Sequence, residues 1–117
     1  MVKVTFTHDE SKQTLSLSVK GHAGYAEKGK DIVCSSATIL AYTVAQIVKA
    51  MDKHGDLTES PTVELNEGEI LIVCSVKDEA VYAEAVHTFF VAEVGYMLLE
   101  ANYPRHLHIT KKLGKDL

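Results

Sequence analysis

A chain of 117 residues with 46% hydrophobic and 24% charged side chains fits one soluble globular domain, 1–117, large enough to bury a core without disulfide staples. Its net charge of −4 excludes a broad phosphate-binding surface, which needs clustered Lys and Arg, so no direct nucleic-acid contact is expected. No apolar run reaches the ~18 residues of a membrane span and no N-terminal run has the parts of a signal peptide. The expectation is a cytoplasmic protein, away from membranes, with Cys34 and Cys74 reduced rather than paired.

MVKVTFTH alternates, with Val2, Val4 and Phe6 on one face, and reads as a half-buried strand. A polar turn follows, and TLSLSVK alternates again with Leu15, Leu17 and Val19 inward, which predicts a hairpin. After a glycine-punctuated loop, Leu40, Val44, Ile47, Val48 and Met51 recur at helical spacing. Ser35, Ser36 or Asp31 can cap that helix, and Gly55 follows its end. TVELNEGEILIVCSV reads as two strands around Asn66-Glu67-Gly68, the second apolar on both faces and therefore central in the sheet. A long helix runs from Asp78 towards Pro104, and RHLHITKK alternates as a last strand before a polar tail. The order β-β-α-β-β-α-β predicts an α+β fold: a single mostly antiparallel sheet with two helices packed on it.

The chemistry sits in the loop GHAGYAEKGKDIVC. His22 follows the end of a strand and Cys34 stands where a helix begins, so rigid elements hold both and only the residues between are loose. A helix N-terminus and a neighbouring imidazolium both favour a thiolate, which is the nucleophilic form. The N–H groups of the first helical turn could bind a developing oxyanion. Ser35 and Ser36 are small enough to let a substrate carbonyl approach. Asp31 could orient His22, as in a triad, or serve only as a cap. The blander alternatives are a small hydrophobe at position 34 and a surface histidine at 22. His22, Asp31 and Cys34, with His106 and His108 on the last strand, could also be read as metal ligands. No paired CxxC or HExxH spacing supports that, so no metal or cofactor is expected and the strand histidines read as a solvated face. Cys74 reads as core, and His8, His54 and His87 carry no signal.

Gly21-His22-Ala23, a glycine-bearing loop and Asp31-Ile32-Val33-Cys34 together resemble the ribosomal-processing cysteine protease family called Prp. The likeness extends to the length and the element order. It implies a cytoplasmic bacterial endopeptidase and homodimer that removes the short N-terminal extension of ribosomal protein twenty-seven of the large subunit, cutting behind an aromatic residue during ribosome maturation. By position it makes Cys34 the nucleophile and His22 the general base and acid, with Asp31 a possible orienting residue. Gly21, Ala23, Ser35, Ser36 and Thr38 then fall where substrate binds. Many members carry serine four residues after the cysteine; here Thr38 keeps the hydroxyl and adds a methyl. The competing class is a non-enzymatic, ribosome-associated binding module that uses the same groove.

Overall fold

The computed structural model describes residues 1–114, so the last three residues of the polar tail lie outside the described residues. Strands β1 (Val2–Asp9) and β2 (Thr14–Lys20) form the first hairpin, and β3 (Thr62–Asn66) and β4 (Glu69–Ser75) the second. Helix α1 (Ile32–Lys53) joins the hairpins; α2 (Glu79–Asn102) and β5 (Leu107–Leu113) complete the order expected. The sheet runs β3-β4-β2-β1-β5. It is mostly antiparallel, but β5 lies parallel to β1, with Val2 opposite Leu107. A parallel return needs a crossover, and α2 supplies it.

Alternation puts every second side chain on one face, and register stacks them across the strands. Phe6 lies opposite Leu17, which lies opposite Ile72. All three are fully buried beneath the helices. The central strand is β2 rather than β4, which sits one place in from the β3 edge. The apolar second face of β4 reflects half-buried Leu71 and Val73, not a central position.

The buried stripe of α1 is Val33, Ala37, Ala41, Val44, Ala45, Val48 and Met51. Leu40 and Ile47, expected to face inward, are only half-buried, because alanines let the helix sit close to the sheet and α2. The Tyr96 hydroxyl of α2 donates to the Ala37 carbonyl at 2.7 Å and ties the two helices together. By length and composition α1 could cross a membrane, which the sequence pattern had excluded. Here it packs as a core helix.

Helix α2 inverts the expected pattern. Glu93, the sole charge in a run of apolar residues, is buried, while Phe90, Val91, Val94, Met97 and Leu98 are exposed. Glu93 is held by Lys111 Nζ at 3.2 Å and faces His8 Nε2 at 3.5 Å, too far for a good hydrogen bond. His8 is thus a buried residue of β1.

Candidate active site

Strand β2 is followed by Gly21, whose φ of +95° and whose approach to the Met1 carbonyl both forbid a side chain. Its N–H donates to the Gly68 carbonyl at 2.9 Å, so the end of β2 is fastened to the β3–β4 turn. His22 comes next, and its imidazole lies over Gly68. A Cβ on Gly68 would stand 2.7 Å from His22 Nε2. Gly68 (φ +73°) is therefore both the turn glycine and the floor beneath the ring.

Cys34 is the third residue of α1 and half-buried. Asp31 caps the helix: its Oδ1 accepts from the N–H groups of Val33 at 3.0 Å and Cys34 at 2.9 Å. Its Oδ2 accepts from Tyr25 at 3.0 Å and Ala26 at 3.3 Å. One carboxylate thus closes the loop onto the helix start. Burial pushes its pKa up, but these four N–H groups outweigh that and hold it below the usual carboxylate value. Its partners are all backbone amides, and the His22 imidazole is not among them. The same bonds engage the Val33 and Cys34 amides of the first helical turn, and Ser35 N–H donates to the Asp31 carbonyl.

His22 and Cys34 line one cleft of about 580 Å³, together with Gly21, Asp31, Ser35 and Thr38. Val19, Tyr42 and Ile70 give it apolar walls. Two expected substrate-binding residues are placed otherwise. Ala23 is buried, and its N–H donates to Cys34 Sγ at 3.2 Å. The Ser36 hydroxyl donates back to the Ile32 carbonyl at 2.6 Å. Lys28 of the loop reaches Glu67 of the β3–β4 turn at 3.1 Å. Both side chains are exposed, so the pair contributes little energy and opens readily.

His106 was expected on a solvated strand face. It precedes β5, is half-buried, and its Nδ1 lies 2.9 Å from the Ala23 carbonyl. His108 is exposed and pairs with Glu100 at 2.8 Å. Among the described residues no group of three or more His, Cys, Asp and Glu side chains is placed to hold a metal ion. Cys74 is buried under the helices, and burial pushes its thiol up to about 11.

The family model for cysteine protease Prp matches residues 1–108. The chain belongs to the Prp family. The ribosomal processing cysteine protease Prp of Bacillus subtilis is 33% identical over 48 residues, 41% of this chain and 43% of that protein. The match thus spans less than half the length of that curated relative. Among solved structures, Prp of S. aureus with a covalently linked product peptide superposes with a TM-score of 0.70 at 23% identity, covering 96% of this chain and all of that one. SMU.848 of Streptococcus mutans gives 0.65 at 24% identity, covering 97% and 95%. The Prp fold is therefore this chain's fold.

Proposed function

We propose that the protein is a cysteine endopeptidase in which Cys34 and His22 act as nucleophile and base, and that its substrate is the N-terminal extension of ribosomal protein twenty-seven of the large subunit. The observation that carries this reading is the shared cleft: a thiol on the first turn of α1 and an imidazole at the end of β2 face one apolar-walled groove. His22 takes the thiol proton as sulfur attacks the scissile carbonyl carbon. The tetrahedral intermediate collapses, the C–N bond breaks, and the departing amine takes that proton from His22. Water, deprotonated by the same imidazole, then cleaves the thioester and restores the thiol. No metal or cofactor enters these steps. Asp31 serves the site by fixing the helix start and the loop, a positioning role in place of the third member of a triad.

Two S. aureus Prp structures hold a substrate peptide or a covalently linked product peptide, which supports a peptide occupant for the groove. Apolar walls suit a cut behind an aromatic side chain. The exposed stripe of α2 supports a homodimer: Phe90, Val91, Val94, Met97 and Leu98 form an apolar surface of the kind that a second copy covers. A cytoplasmic location follows from the substrate.

The test uses a peptide spanning the extension junction. Cys34→Ala should fold and abolish cleavage, His22→Ala should do nearly the same, and a thiol alkylator should block the wild type. Normal turnover by Cys34→Ala would remove the reading in favour of a binding module.

A further inference from the structure

We propose that His106 is a positioning residue for Cys34, acting through the backbone of Ala23; this rests on the reading of Cys34 as the nucleophile. The segment Gly21-His22-Ala23-Gly24 carries the base and touches the nucleophile, yet a glycine of positive φ bounds it on each side, +95° and +66°. Such a segment is not rigid by its own backbone preferences, so something outside it must hold Ala23.

His106 supplies that hold. Its own backbone is fixed from two elements: its N–H donates to the Tyr103 carbonyl and its carbonyl accepts from Val2 N–H, both at 2.9 Å. Its Nδ1 lies 2.9 Å from the Ala23 carbonyl. A carbonyl only accepts, so Nδ1 carries the proton. Ala23 in turn donates its N–H to Cys34 Sγ. Tyr25 meets the rings of Tyr103 and His106 edge-on at 5.3 and 5.4 Å, fastening the next part of the loop to the same corner. A donor aimed at sulfur orients the thiol and stabilises the charge that develops as its proton leaves. Anchoring Ala23 also steadies His22, its immediate neighbour.

The test compares wild type with His106→Ala, His106→Phe and His106→Asn. Phenylalanine keeps a ring against Tyr25 and Tyr103 but has no donor. Asparagine loses the ring but can present an N–H near the Nδ1 position. The readout is the rate of iodoacetamide labelling of Cys34 against pH, resolved by mass spectrometry of tryptic peptides. Protection of Cys74 reports that each variant is folded. Alanine and phenylalanine should slow Cys34 labelling by about tenfold and move its pH profile upward, while asparagine should stay within about threefold of wild type. In peptide cleavage, kcat should fall in the same order with KM less affected. Wild-type labelling by His106→Phe, or labelling of His106→Asn as slow as that of His106→Ala, would overturn the proposal. If His106→Ala exposes Cys74, the phenylalanine and asparagine variants decide alone. Selective labelling without peptide cleavage by the wild type would sink the peptidase reading and leave the positioning role standing. Normal cleavage with identical labelling in all variants would do the reverse.

Discussion

Helix α1 buries Ala37, Ala41 and Ala45 between larger residues and spends its first turn on Asp31, Cys34 and Ser35. Helix α2 buries Phe89 and Tyr96, turns Phe90 and Leu98 outward, and hides a glutamate among its core residues. The two are of similar length and both lie on the same sheet. Their difference shows how a small two-layer fold divides labour. Small residues let α1 approach closely enough to fix one chemical group. The α2 helix has one apolar side in the core and another that stays exposed.

Neighbouring phenylalanines on α2 give the sharpest test of that division. Phe89 is fully buried and Phe90 about half exposed. Phe89→Ala should destabilise by about 3–5 kcal/mol, read by denaturant unfolding. Phe90→Ala should cost the fold only about 0.5 kcal/mol yet weaken self-association in sedimentation. Equal effects of the two changes on stability would break the two-sided view of α2.

The caps come next in size. Asp31 is buried and binds four amides, whereas Asp78 accepts from Ala80 and Val81 alone and is exposed. Asp31→Ala should cost about 2 kcal/mol and speed hydrogen exchange at Tyr25 and Ala26, while Asp78→Ala should cost about 0.5–1 kcal/mol. Similar losses would mean that the loop contributes nothing to the start of α1.

A smaller effect separates the helices by pH. Burial pushes Glu93 up, but the neighbouring His8 ring and the Lys111 ammonium, which hydrogen-bonds to it, outweigh that and leave its pKa lowered, as the four amides do for Asp31. A carboxylate with a lowered folded value stabilises the fold above its unfolded pKa, and that contribution disappears as pH falls through the folded value. Stability should therefore decline from the ordinary values of 4.5 for Glu93 and 3.8 for Asp31 downward. Glu93→Gln and Asp31→Asn should each flatten the acid limb of the urea midpoint against pH. An unchanged limb in Glu93→Gln would show that His8 and Lys111 do not hold that charge.

Alternation and helical spacing made the element order legible, because each strand has one buried face and each helix has recognisable ends. That His22 and Cys34 line one cleft was legible because both residues adjoin element ends. On α1 the helical spacing picked out Val44, Val48 and Met51 of the inner face, whereas Leu40 and Ile47 lie at the core's margin and Ala37, Ala41 and Ala45 share the packing without a large side chain to mark them. Nothing local marks β5 as parallel; that depends on where α2 delivers the chain. His106 acquires its partner only because β5 lies beside β1, near Ala23. Gly68 looked like an ordinary turn glycine, since the ring above it comes from 46 residues away (68 minus 22).

That glycine sets the smallest unit of this site that could be transplanted. A graft of residues 21–35 onto another sheet would carry the thiol, its capping carboxylate and the intervening loop. It would leave the imidazole without a floor, because Gly68 belongs to a different hairpin, joined to the first by the β2–β4 ladder and, at its end, by the Gly21–Gly68 bond. The site is portable only as two turns held side by side, so a designer would have to copy the spacing between two hairpins as well as a motif.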